Sequence, residues 1–274
     1  MAARQPDSRI ALVTGASSGI GRAAAEALVG AGFTVVGTSR NADTAPATDG
    51  VTFIDLDVTS DESVRAAVEE VIERFDRIDV LVNNAGAGLA GAAEENSIEQ
   101  STAAFDINVF GVMRMTNAVL PHMRAQRSGR IINVSSVLGL IPAPFLATYA
   151  ATKHAVEGYS ESVDHEVREH GVRVLLVEPG YTSTGFESNT QWSDSPLPDY
   201  ARQREVVREV LGTAMEGADD PAVVGKVIVA AATDRRPRLR YPAGALASRV
   251  SILRRYVPWR AFDKQIRKLN RLAA

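Results

Sequence analysis

Tyr149 and Lys153 stand four residues apart in a Y-x-x-x-K pair. On a helix that spacing puts both side chains on one face. A free phenol ionises near pH ~10, too high for ready proton exchange at neutral pH. A lysine cation beside it stabilises the phenolate and draws the value down, which makes the pair an acid–base. Ser136 closes the run RIINVSS thirteen residues earlier, where its hydroxyl can hydrogen-bond a substrate oxygen held beside the tyrosine. Ser135 competes for that role. Adjacent strand residues face opposite ways, so only one of the two points into a site.

A second constellation lies near the start of the chain. TGASSGIG, Thr14 to Gly21, follows an apolar β-branched run and precedes an amphipathic helical pattern. Glycine at 15, 19 and 21 lets the backbone turn tightly and approach a pyrophosphate, whose charge a helix N-terminus favours. The spacing differs from the G-x-G-x-x-G dinucleotide fingerprint, with three residues between the first two glycines. Roughly twenty residues on, NAD-binding chains place an acid to hold the ribose 2′-hydroxyl. Ser39 and Arg40 stand there instead. An acid would repel a 2′-phosphate, whereas Arg40 can pair with it, so the expected cofactor is NADP(H), with NAD(H) the less favoured alternative.

The elements that must position these residues follow from the patterning. Short β-branched runs, IALVT, FTVVGTS, VTFIDLD, DVLVNNA, RIINVSS, VRVLLVE and a late RLRY, alternate with helical periodicities, which predicts βαβ units and a parallel sheet. Ile20, Ala24, Ala27, Leu28 and Ala31 share one helical face. Val64, Val68, Val71 and Phe75 share another, in a helix that Thr59 or Ser60 can cap. Long helical patterns cover roughly 98–127 and 148–170, and the segment 181–198, rich in Ser, Thr, Asp and Pro without periodicity, reads as a mobile substrate loop. The expected organisation is a flexible tail over 1–9, one domain over 10–242 and a basic helical extension over 243–274.

Composition fits a single soluble α/β domain. The 274 residues are 45% hydrophobic and 23% charged, near globular averages. No cysteine is present, which excludes disulfides, thiolate catalysis and zinc–thiolate sites and fits a reducing cytoplasm. No apolar run is long enough to span a membrane. The net charge of −3 hides an asymmetry: from Arg235 onward twelve Lys/Arg face one acid, Asp263, leaving the rest at −14.

Together these residues resemble the short-chain dehydrogenase/reductase family, from Ile10 to about Thr184. TGASSGIG, with Gly15, Ser17, Ser18, Gly19, Ile20 and Gly21, is similar to the family's cofactor loop, and Asp57-Val58 to its adenine pair. NNAG, containing Asn83, Ala85 and Gly86, is similar to the segment under the adenosine ribose; Pro179, Gly180, Thr182 and Thr184 fall in the segment at the nicotinamide. Asn108, Ser136, Tyr149 and Lys153 complete the family's catalytic tetrad. The resemblance implies that Tyr149 exchanges a proton with the carbonyl oxygen and Ser136 orients that oxygen. It implies that Lys153 binds the nicotinamide ribose and lowers the tyrosine pKa, and that Asn108 anchors a water-linked relay.

The resemblance further implies seven parallel strands in the order 3-2-1-4-5-6-7, helices on both faces, and a homo-oligomer. Leu138, Phe145, Tyr181 and Phe186, with Ser136 and Tyr149, take the family's substrate-pocket positions. Their apolar character predicts a hydrophobic carbonyl or alcohol, and Arg40 with the C-terminal extension resembles the 17β-hydroxysteroid and retinol dehydrogenase-like branch. The alternatives are a 3-oxoacyl thioester reductase and a non-catalytic NADP sensor. Trp192 lines the pocket or forms a hydrophobic clasp. His122, His154, His165 and His170 show no ligand-like clustering, so no metal is expected. No nucleic-acid module is present. In the extension, Trp259, Phe262, Ile266 and Leu269 share a helical face, which can pack on the body, close over the site or lie on an anionic membrane.

Overall fold

The computed structural model describes residues 9–272. Most of the expected N-terminal tail therefore lies outside the described residues, and Arg9 already opens β1, Arg9–Val13. The remaining strands are β2, Phe33–Ser39, β3, Val51–Asp55, β4, Val80–Asn83, β5, Gly129–Val134, β6, Val172–Pro179, and β7, Arg240–Ala243. They form one sheet in the order β3-β2-β1-β4-β5-β6-β7, every pair parallel. The order reverses between β1 and β4, the switch point at whose carboxyl edge ligands bind in open α/β sheets.

Alternation along the strands feeds two cores. On one face Leu12, Ile131 and Val174 pack with Val64 and Val68 of α2 (Asp61–Phe75), Met115 and Val119 of α4 (Gly111–Gln126) and Val163 of α5 (Ala147–Val167). On the other, Ala11, Val13, Ile132 and Leu175 pack with Ala24 and Leu28 of α1 (Gly19–Gly30) and with Val224 and Ile228 of α7 (Pro221–Thr233). Each Leu, Ile or Val buried in these layers contributes about 1.5–3 kcal/mol. α1 and α7 approach closely at Gly225, where a Cβ would lie 2.7 Å from the Ala23 carbonyl oxygen.

Helix starts follow local chemistry. The Ser60 hydroxyl accepts the Ser63 N–H at 3.2 Å and caps α2, while Thr59 instead bonds Asp57. Ser97 and Gln100 form a capping box for α3, Ile98–Phe105. The pattern over 98–127 is two helices rather than one: α3 and α4 join through a π turn, Asp106–Phe110. Such a turn marks a local departure from the helical ladder, frequently at a functional site. The segment 181–198 contributes Gln191–Trp192, which pairs in parallel with Leu89–Ala90. Its end is tied to the buried Glu95 carboxylate, which accepts the Leu197 N–H at 2.8 Å and pairs with Arg204 of α6, Ala201–Glu216. The C-terminal extension folds into α8, Ala245–Tyr256, and α9, Trp259–Leu269. No described helix is long and apolar enough to cross a membrane.

Candidate active site

The turn after β1 is held in a shape that a larger residue would spoil. Gly15 and Gly19 have φ of +64° and +52°, in the left-handed region open to glycine. A Cβ on Gly21 would lie 2.2 Å from the Gly15 carbonyl oxygen and 2.4 Å from Asn84 Nδ2. The Thr14 hydroxyl accepts the N–H of Asn84 at 2.9 Å and of Ala85 at 3.0 Å, and Asn84 Nδ2 donates to the Thr14 and Gly15 carbonyls at 3.0 and 3.2 Å. These bonds lock the glycine turn to the segment after β4. Ser18, at the N-cap of α1, makes no side-chain cap bond, and the first turn carries no acid. The helix therefore leaves its N-terminal amides open to an anion, with Ser18 exposed beside them. This cradle fits a dinucleotide pyrophosphate.

Arg40 stands exposed just past β2, and its charge helps hold the Asp57 carboxyl below the usual range, after the stronger effect of Thr59 hydrogen bonds. Val58 is buried beside Asp57. The buried Asn83 side chain donates to Asn133 Oδ1 at 2.8 Å. Its neighbour Asn84, which sequence patterning does not single out, is the amide that grips the phosphate turn.

Ser136 and Tyr149 meet at the carboxyl edge of β5. Ser136 lies two residues past the end of that strand and its Oγ accepts the Leu138 N–H at 3.1 Å. Its hydroxyl approaches the Tyr149 phenol closely enough to stabilise the phenolate. Burial drives the Tyr149 pKa up, and that approach is the one interaction opposing the rise. Ser135 turns the other way, its Oγ buried on the side of Glu157 of α5. Lys153 is buried, its Nζ donating to the Val134 carbonyl at 3.0 Å and lying 5.7 Å from the Tyr149 ring centroid. Burial lowers its pKa to about 8, opposed by the Glu157 charge. Lys153 thus lies beside the phenol ring, on the same helix face, while Ser136 approaches its hydroxyl.

Asn108 lies inside the π turn, fully buried. Its amide donates to the Ala87 carbonyl at 2.9 Å and to Thr152 Oγ1 at 3.2 Å, and its Oδ1 accepts the Ala87 N–H at 2.8 Å. Thr152 in turn donates to the Tyr149 carbonyl at 2.7 Å. One amide thereby ties the loop beyond Gly86 to the helix bearing Tyr149 and Lys153. Thr152 is a link that spacing alone does not reveal.

This arrangement has counterparts in known proteins. Residues 9–194 match the short chain dehydrogenase family. The chain belongs to that family. It is 39% identical over 240 residues to a 3-ketodihydrosphingosine reductase of Bacteroides thetaiotaomicron, spanning 87% of this chain and 88% of that protein. A solved short-chain dehydrogenase of Streptomyces avermitilis superposes with a TM-score of 0.81 at 35% identity, over 96% of this chain and 99% of the other. One from Burkholderia cenocepacia J2315 in complex with NADP gives 0.77 at 25% identity, over the same shares. Other solved relatives hold NADH or NAD. The chain thus has the fold of an oxidoreductase family.

In this short-chain dehydrogenase one side of the cleft is built by the loop after β6. Pro179 ends β6, Gly180 follows under Leu246 of α8, and Thr182 bridges to Asp219. Thr184 rests against Gly19, where a Cβ would meet its side chain at 3.2 Å. Phe186 lies over Tyr149, ring centroids 5.6 Å apart, and beside Gly88. Phe145 sits edge-on to Tyr200 at 6.1 Å and has φ of +64°, an unfavourable conformation for a bulky residue that its contacts must hold. Leu138 and the exposed Tyr181 complete the rim. The Arg208 guanidinium lies 4.5 Å from the Trp192 ring centroid.

Proposed function

We propose that this short-chain dehydrogenase transfers a hydride between NADP(H) and the carbonyl or secondary alcohol of a hydrophobic, lipid-like small molecule. The observation that carries the reading is the convergence of Ser136, just beyond β5, on Tyr149, with the buried Lys153 Nζ 5.7 Å from the Tyr149 ring centroid and four residues along the same helix. The glycine turn and the α1 N-terminus would hold the pyrophosphate, Arg40 the 2′-phosphate, Asp57 and Val58 the adenine edge, and Lys153 the nicotinamide ribose. When bound, the nicotinamide supplies or accepts the hydride. Tyr149 gives its proton to the carbonyl oxygen in reduction and takes it back in oxidation. Ser136 orients that oxygen, and the raised phenol pKa keeps Tyr149 protonated and ready to donate. Asn108 holds the α5 end of the site in place.

Two features support a long-chain ketone as substrate. Leu138, Phe145, Tyr181 and Phe186 give the rim an apolar character, and the 39%-identical relative is a 3-ketodihydrosphingosine reductase. A second reading, reduction of a 3-oxoacyl thioester, draws on structural likeness at 25% identity to a 3-ketoacyl-(acyl-carrier-protein) reductase of Brucella melitensis. The test is NADPH oxidation against a 3-keto sphingoid base, a 3-oxoacyl thioester, a steroid ketone and a retinal, with NADH in parallel. Selective NADPH-linked turnover of the sphingoid ketone is expected. Tight NADPH binding with no turnover of any of them would sink the enzyme reading in favour of a sensor.

A further inference from the structure

α8 wears its apolar face outward. Leu246, Ile252, Leu253 and Tyr256 recur at helical spacing and are 42%, 61%, 50% and 72% exposed, with Arg249 among them. Trp259, at the start of α9, is 65% exposed. The opposite side of α8 is already occupied. Arg254 donates through Nε to the Leu140 carbonyl at 3.1 Å and stacks over the buried Phe262 of α9. The outward face is therefore left over after α8 and α9 have packed on the body.

We propose that this face docks on an anionic lipid bilayer beside the mouth of the active site. Three observations converge. The extension 243–274 carries eight Lys/Arg against the single acid Asp263, and Arg260, Lys264 and Lys268 are exposed on α9. Apolar side chains ringed by arginine and lysine match the acyl boundary and the phosphates of an anionic surface. Tyr256 and Trp259 are the residue types that settle at a membrane interface. Leu246 packs on Gly180 of the loop after β6, so the apolar face continues into the exposed Tyr181 and Phe186 of the substrate rim.

A second copy of this chain fits the face less well. A two-fold pair would bring the same residues of both copies together, placing two strongly basic extensions in apposition. The acidic remainder of the chain, −14 over residues 1–234, is repelled by an anionic surface and turns the extension towards it. The inference stands whatever the enzyme reduces.

The experiment is co-sedimentation of the full chain with phosphatidylcholine vesicles, with and without phosphatidylglycerol. Binding is expected to the anionic vesicles alone, to weaken with salt, and to shift Trp fluorescence to the blue. The double variant Leu253→Glu/Tyr256→Glu should lower vesicle affinity by about tenfold or more. Its NADPH affinity, checked in solution, should stay that of the parent. Failure to bind anionic vesicles, or equal binding to neutral ones, would overturn the proposal. So would light scattering that finds a dimer of the parent and a monomer of the variant, since the face would then be covered by a second copy.

Discussion

Glu157 and Glu178 converge on one guanidinium: Arg240 Nε lies 3.1 Å from a Glu157 oxygen and 3.3 Å from a Glu178 oxygen. Both acids are buried, and Arg240 also reaches Glu161 at 3.2 Å. Burial, reinforced by the neighbouring Glu157, pushes the Glu178 pKa up to about 8, and burial raises Glu157 as well. One arginine cannot neutralise two buried carboxylates, so the fold favours a proton on Glu178.

A stability profile follows with a definite sign. The folded protein holds the Glu178 proton more tightly than the unfolded chain, so this contribution is full below the ordinary carboxylate range. It is lost as pH rises towards about 8. The slope from this single proton is at most about 1.4 kcal/mol per pH unit. Glu178→Gln, which imitates the protonated acid, should match the parent near the acid end of the window and exceed it in thermal midpoint at the alkaline end. Parallel midpoint curves across the window would refute the assignment.

Tyr149 and Ser136 are separable by their roles. Tyr149→Phe removes the proton donor and should lower kcat by about 10²–10⁴-fold. NADPH affinity should stay within a few-fold, because the glycine turn is untouched. Ser136→Ala leaves the phenol in place and frees it from the only interaction lowering its pKa. Its loss should fall on kcat too, with any oxidative activity moved to higher pH. Fluorescence titration of NADPH together with steady-state kinetics distinguishes this pattern from general misfolding, which would weaken both.

How much of this was legible in the sequence depends on where the deciding force lies. The glycine turn and the serine–tyrosine–lysine set are local patterns on a regular βαβ scaffold, and the structure brings them to one sheet edge; the strand order came through the family resemblance. α7, PAVVGKVIVAAAT, carries apolar residues around most of its circumference, which hides any helical periodicity; the Asp220 cap and Pro221 in its first turn favour a helix locally, and the packing of Gly225 on α1 fixes it. Asn83 and Asn84 are adjacent amides, and only the register of β4 reveals which one turns inward. The Lys153–Tyr149 relation was legible as proximity but not as energetics. The desolvation that raises one pKa and lowers the other comes from the surrounding packing.

Arg40 offers a test of cofactor choice that leaves the catalytic residues alone. It stands exposed at the end of β2, free to meet a 2′-phosphate without paying for burial. A charge-assisted hydrogen bond to phosphate contributes about 1.5–3 kcal/mol. Arg40→Ala should therefore weaken NADPH by about 10- to 150-fold, while NADH affinity changes little. Equal losses for both cofactors would show that Arg40 serves the adenine or the fold rather than the phosphate.

Lys153 sets the alkaline limit of the reaction. With its pKa brought down to about 8 by burial, the ammonium is charged at neutral pH and loses its proton within the working range. Reductive kcat/KM, which reports the free enzyme, should hold to about that pH and decline above it as the cation is lost. Lys153→Arg keeps the charge at every accessible pH. Its planar group cannot reproduce the bond to the Val134 carbonyl in the same pocket, so the rate should be low. Whatever turnover survives should lack the alkaline decline, and a residual rate that still falls above pH 8 would move the titration to another group.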